Sequence, residues 1–111
     1  MDTNVIVISG KLATPVDYKK IGSGNRSVAH FSILSEYLSK DKVQNKDSKL
    51  TSTVSCETWD KIADNCSNYL NVGSKVSVIG YLKQDKWVNE EGKSLNKLKV
   101  VAHQVIFTDR D

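Results

Sequence analysis

One stretch of this sequence breaks the hydrophobic period that the rest of the chain keeps. Between residues 60 and 73 the apolar positions Ile62, Ala63, Cys66, Tyr69 and Leu70 fall at i, i+1, i+4, i+7 and i+8. That spacing lines one face of a helix about three turns long. Asp60 is placed to cap its start and Gly73 to stop it. Elsewhere the apolar residues alternate or run in short β-branched groups, so the sequence describes strands with a single helical insert.

The strands follow in order. Asn4 to Leu12 opens with Val5-Ile6-Val7-Ile8 and reaches Gly10, which reads as a strand with a bend or bulge in its second half. Pro15 marks a break before a short extended piece through Tyr18, and Gly22-Ser23-Gly24-Asn25 is a turn. From Arg26 to Leu38, Ala29, Phe31 and Ile33 alternate with His30 and Ser32, predicting a long strand buried on one face. Ser39 to Ser48 reads as a polar loop, and Lys49 to Thr58 resumes β character. After the helix, Val76, Val78, Gly80 and Leu82 alternate with Ser77, Ile79, Tyr81 and Lys83, and two extended runs flank the tip Asn89-Glu90-Glu91-Gly92. About five strands with one helix between the third and fourth predict an all-β, five-stranded Greek-key barrel of the OB type, the helix plugging one open end. An SH3-like barrel usually lacks that helix. A ferredoxin-like domain needs a second helix, for which there is no pattern.

With 111 residues the chain is expected to form one domain over 1–111. No apolar run approaches the roughly 18 residues of a bilayer span, and Met1-Asp2-Thr3-Asn4 has no basic lead, so no membrane association and a cytoplasmic location are expected. The net charge of +3 permits a polyanionic partner without requiring one. Cys56 and Cys66 form no CxxC pair and read as buried, reduced thiols, while His30 and His103 have no companion at ligand spacing. The expectation is no metal, no cofactor, no catalytic residue and no enzymatic activity, because no nucleophile, base and orienting group recur together.

Two tryptophans stand in charged surroundings. Trp59 follows Glu57-Thr58 and precedes Asp60-Lys61; Trp87 lies among Lys83, Asp85, Lys86, Glu90 and Glu91, in the arms and tip of a hairpin. An unpaired nucleic-acid strand offers base faces that stack on such rings and phosphates that attract the ammonium groups. Were Trp59 instead to staple the helix start, its partner would be Asp64, which is not apolar.

The block Lys61-Ile62-Ala63-Asp64-Asn65-Cys66-Ser67-Asn68-Tyr69-Leu70-Asn71-Val72-Gly73-Ser74-Lys75-Val76-Ser77-Val78-Ile79-Gly80-Tyr81-Leu82 resembles the corresponding block of bacterial-type single-stranded-DNA-binding proteins. Asn4 to Leu12, the Val28-Ala29-His30-Phe31-Ser32-Ile33 strand and Lys86-Trp87 fall in the same family's order and spacing. The resemblance implies an OB-fold that wraps single-stranded DNA over aromatic platforms in replication, recombination and repair, as a homo-oligomer with the tetramer favoured over a dimer. It implies stacking by Tyr37, Trp59 and Trp87, and basic contacts from Lys40, Lys61 and Lys86. Lys11 and Lys83 join these from their own placement. Thr53 departs from the pattern, standing where many relatives have a tryptophan. The family's flexible linker and acidic tip, which recruit replication and repair proteins, have no counterpart in the 111 residues, which match a tailless or truncated member. The resemblance places the protein with DNA, in the nucleoid or an organelle matrix. Two alternatives stay open: a dimer like the primosomal replication-restart protein, and a protein-interaction adaptor whose tryptophans anchor an interface.

Overall fold

The computed structural model of the chain describes residues 1–41 and 46–108, with the side chains of residues 40, 41, 46 and 47 left out of the description. The elements are β1 (Ile6–Leu12), β2 (Asp17–Ile21), β3 (Arg26–Asp41), β4 (Lys46–Trp59), α1 (Asp60–Tyr69), β5 (Lys75–Val88) and β6 (Ser94–Phe107). The neighbours run β1-β5-β6-β4-β3-β2, and an extra β1–β3 pairing at Lys11↔Leu34 and Leu12↔Ile33 closes the first five into a ring. Among the described residues β2 pairs only with β3, and it stays outside the ring. The predicted barrel is therefore present, with the helix between its third and fourth ring strands, and the short piece after Pro15 adds a sixth strand.

Alternation sets what fills the barrel. Ile6, Ile8, Gly10 and Leu12 of β1 turn inward, as do Phe31 and Ile33 of β3, Cys56 of β4, Val76 and Val78 of β5, and Val100 and Ala102 of β6. Each fully buried aliphatic side chain among these contributes about 1.5–3 kcal/mol. The helix supplies Ala63 and Cys66, and its C-cap Leu70 follows them into the buried interior, sealing one end as the period implies. Tyr69 is the exception. Although the periodicity puts it on the same face, it is 67% exposed, because it ends the helix at the barrel rim and leans its ring on Phe107 at 6.3 Å.

Three further expectations need correction. The segment Ser39 to Ser48 is not all loop: β3 continues to Asp41 and β4 begins at Lys46, with Ser39 opposite Ser48 and Lys40 opposite Asp47. Beyond the barrel this ribbon meets water on both faces, so polar residues cost it nothing and ladder hydrogen bonds extend it. Residues 42–45 of the expected loop lie outside the described residues. Asp60 does not cap the helix either. Trp59 holds the cap position without a side-chain cap bond, and Asp60 is the first helical residue, with φ +56°. Aspartate tolerates that left-handed geometry better than most residues, and its carboxylate is engaged by Arg26 Nε at 2.9 Å and by the Ser27 backbone N–H at 3.3 Å. Nor does Gly73 stop the helix: Leu70, extended at φ −99° and ψ 137°, is the C-cap, and Gly73, at φ +94°, turns the chain after it, its N–H donating to the Leu12 carbonyl at 2.8 Å.

Candidate nucleic-acid interface

The same alternation that fills the barrel sets what faces outward. On β4 the residues between the buried Cys56 and Thr58 and beyond them, Ser55, Glu57 and Trp59, point to the outer side. Across the parallel β4–β6 pairing Glu57 lies beside Val101, and β6 passes that face on to β5 through Val101↔Tyr81, Lys99↔Lys83, Lys97↔Asp85 and Leu95↔Trp87. One outer face thus runs from Trp59 to Trp87. The stretch of β6 from Leu95 to Val101 spans roughly 20 Å. Between the two indoles the face presents Lys97 and Lys99 of β6 and Lys83 of β5, with Asp85 of β5 among them.

At the Trp59 end the polar groups are paired. Trp59 Nε1–H donates to Glu57 Oε2 at 3.1 Å. Glu57 Oε1 accepts from Lys99 Nζ at 2.8 Å and from His30 Nε2 at 2.8 Å, and Lys99 Nζ also reaches Asp85 Oδ2 at 2.7 Å. The Arg26 guanidinium lies 5.0 Å from the centre of the Trp59 ring, within range of a cation–π contact. Arg26 is itself tied to Asp60, and that hydrogen bond, opposed by desolvation, holds the Asp60 carboxyl below its usual range.

Glu57 is 7% exposed. Burial alone pushes its carboxyl pKa up, but hydrogen bonds from Lys99, Trp59 and His30 and the Lys99 charge outweigh that and hold it at about 2. A folded-state pKa below the ordinary 4.5 means stabilisation that is fully present above pH 4.5 and lost as pH falls through 2. The shift corresponds to on the order of 3 kcal/mol. Urea unfolding of the natural chain and of Glu57→Gln should therefore differ most at neutral pH and converge as pH falls from 4.5 to 2. A difference that stays constant over that window would show that Glu57 is not held ionised by this cluster.

The residues singled out in the sequence distribute unevenly. Trp87 is 46% exposed and Lys83 shares its face of the β5–β6 hairpin. Lys86 is exposed, but the strand alternation turns it to the reverse face from Trp87. Trp59 is half-buried on the same outer face as Trp87. Tyr37 is 50% exposed and sits opposite Leu50, in phase with the core side chains Phe31 and Ile33, where β3 has run beyond the barrel. Lys61 is exposed in the first turn of α1. Lys11 is exposed on β1 opposite Lys75, beside a shallow recess that Glu36 also lines, away from the Trp59–Trp87 face. Lys40 belongs to β3, and its side chain lies outside the described residues. Thr53 is exposed on the outer side of β4, in phase with Trp59.

Sequence reasoning missed Arg26, Glu57, Lys97 and Lys99. The spacing of Glu57 and Trp59, two apart on one strand, was a usable signal, since such residues share a face. The contribution of Lys97 and Lys99 depends on a parallel pairing between strands more than forty positions apart, which no local pattern encodes. Neither thiol is part of the interface: burial pushes Cys56 up to about 12, with the nearby Cys66 adding to it, and Cys66 up to about 11. Among the described residues no three acidic, histidine or cysteine side chains gather as a metal site, and no helix is long and apolar enough to cross a membrane.

A family model described as "Single-strand binding protein family" matches residues 3–108. The chain belongs to the single-strand binding protein family. A curated relative from Onion yellows phytoplasma, a "Single-stranded DNA-binding protein", is 40% identical over 67 residues, covering 60% of this chain and 62% of the relative. "Single-stranded DNA-binding protein 2" of Chlorobaculum tepidum is 25% identical over 109 residues, covering 98% of this chain and 73% of the relative. The chain thus spans about three fifths of the length of the first of these relatives. Among solved structures, "Plasmodium falciparum SSB complex with ssDNA" superposes with a TM-score of 0.87 at 23% identity, covering 98% of this chain and 97% of that one, which shows that the two share a fold. In this member of the single-strand binding family, the barrel face between Trp59 and Trp87 is the one that combines indoles with lysines.

Proposed function

We propose that this chain, acting over 1–111 as one unit, binds single-stranded DNA with little regard to sequence, protecting unpaired strands during replication, recombination and repair. The observation that carries the reading is the shared outer face on which Trp59 and Trp87 flank Lys83 and Lys97. Stacking on an indole contributes on the order of 1–3 kcal/mol per base and tolerates any base, because every base has a π-face. Duplex DNA hides those faces within its own stack, which gives preference for single strands without hydrogen bonds to base edges. The lysines add a salt-dependent attraction to phosphates.

Tyr37, on the other side of the β3–β4 ribbon from Trp59, serves as a separate stacking contact, and Lys11, Lys40, Lys61 and Lys86 as peripheral basic contacts. A homo-oligomer fits this reading, with the tetramer favoured over the dimer, since linked sites let one strand engage several subunits. Most of β1 supports it: Ile6 to Gly10 pair with β5 on one side, and among the described residues no strand pairs their other edge. An unpaired edge of this kind is suited to receive another strand. The protein works where the DNA is, in the cytoplasm at the nucleoid or in an organelle matrix.

Titrating oligo(dT) while following tryptophan emission tests the proposal, with strong quenching expected on stacking. Unchanged emission and no comigration at low salt would favour the protein-adaptor alternative instead. The lysines give a second reading. Lys83→Ala should lower the slope of log affinity against log salt by about one, and Lys86→Ala, on the reverse face, by less than half of that. Equal slopes for the two variants would remove the face assignment.

A further inference from the structure

We propose that Glu57 is a positioning residue for strand binding: its carboxylate fixes the Trp59 indole by its edge, so that the ring is already oriented when a base arrives. The inference rests on the reading of Trp59 as a stacking platform. A carboxylate in the middle of a polyanion-binding face repels the ligand unless its charge and lone pairs are engaged elsewhere. Here they are. One oxygen takes the indole proton of Trp59, and the other takes Lys99 and His30.

The arrangement has three parts. Glu57 and Trp59 are two apart on β4, so both side chains rise from one face and the hydrogen bond closes a short loop across it. Glu57 in turn cannot swing, because Lys99, 14% exposed at its side chain, anchors it to β6, and Asp85 of β5 holds the same ammonium from the other side. Finally, Arg26 lies against the Trp59 ring and is tethered to Asp60, so the indole is held at its edge and over one face. Under the proposal a base stacks on the other face. A platform held in this way loses little rotamer freedom on binding, which is the general source of affinity from preorganisation. The same cluster occupies Lys99 with two carboxylates, so that lysine acts through Glu57 and not as a phosphate contact.

The test is a double-mutant cycle on oligo(dT) affinity with the full chain. Glu57→Ala should weaken binding about fivefold, whereas Glu57→Gln, which keeps an acceptor oxygen for the indole, should cost less than about twofold. In a Trp59→Phe background, where there is no indole proton, Glu57→Ala should cost less than about twofold. An equal loss in both backgrounds would mean that Glu57 serves the fold alone, and the inference would fall. Trp59→Ala separates the two levels: if it leaves affinity unchanged, the platform reading of Trp59 fails; if it weakens binding while the cycle shows no coupling, only the role of Glu57 fails. Should Glu57→Ala not fold, hydrogen exchange of the Trp59 indole proton in the natural chain decides. Slowed exchange supports the hydrogen bond to Glu57, and exchange at the rate of free indole overturns it.

Discussion

Replacing Trp87 with alanine should weaken binding of oligo(dT) by between about fivefold and about a hundredfold at every salt concentration, which is the range expected for losing one stacked base. The indole stands on the β5–β6 hairpin opposite Leu95, nearly half exposed and outside the buried cluster of the barrel. Its truncation therefore removes contact area for a ligand and little that the folded chain uses. Melting temperature should move by no more than about 2 °C, as for exposed positions generally. The slope of log affinity against log salt should stay where it was, because no cation is removed. Filter binding or fluorescence titration across a salt series measures all of this. A variant that binds as before but melts markedly lower would reassign Trp87 to packing.

The second large effect concerns the barrel that carries the hairpin. A Cβ built on Gly80 would overlap the carbonyl oxygen of Val101 and crowd the Cα of Ala102, both backbone atoms. The position coincides with the register shift between Ile79 and Gly80, where β5 bends against β6, and it pairs with Ile6 on the other side. A flexible side chain could swing out of the way; two ladder-bound strands cannot. Gly80→Ala should cost about 3 kcal/mol or more, at the upper end of overpacking penalties. For a domain of this size that lowers the melting temperature by more than about 10 °C. Gly24→Ala is the control, since a Cβ there meets nothing within 4 Å and no positive φ is needed. Similar melting of the two variants would show that the close approach at Gly80 is not a constraint.

Much of this architecture was legible beforehand. The single period-3.6 stretch located the helix and the alternating runs located the ring strands, because a barrel wall with one wet face and one dry face imposes a period of two. The ends of the elements were less legible. Ser39 to Asp41 and Lys46 to Ser48 carry no apolar signal, yet they are strand, because a ribbon projecting into water is held by its ladder alone. Asp60 looked like a cap because aspartate before a helix usually is one; here Arg26 and Ser27, more than thirty positions away, claim its carboxylate.

The candidate site divides in the same way. Trp87 and Lys83 could be read from a local hairpin pattern, since residues four apart on a strand share a face. By that rule Lys86 belongs to the other side, although it is adjacent in sequence to Trp87. Arg26 over Trp59 and Lys99 against Glu57 arise from contacts between distant segments, and one sequence alone offers no means to pair them.

The ring is joined unevenly. The antiparallel β3–β4 and β5–β6 pairings are long, whereas β1 meets β3 at Lys11 and Leu12, and β4 meets β6 at Cys56 and Glu57, with the Thr58 hydroxyl reaching the Ala102 carbonyl across that join at 3.0 Å. Mechanically the molecule is a pair of long ribbons clasped by short seams. Thermal breathing should loosen the projecting ribbon ends before it parts the clasps, because Leu12, Ile33, Cys56 and Val100 at the clasps are buried in the core, so a passing strand meets pliant arms rooted in a firm hub.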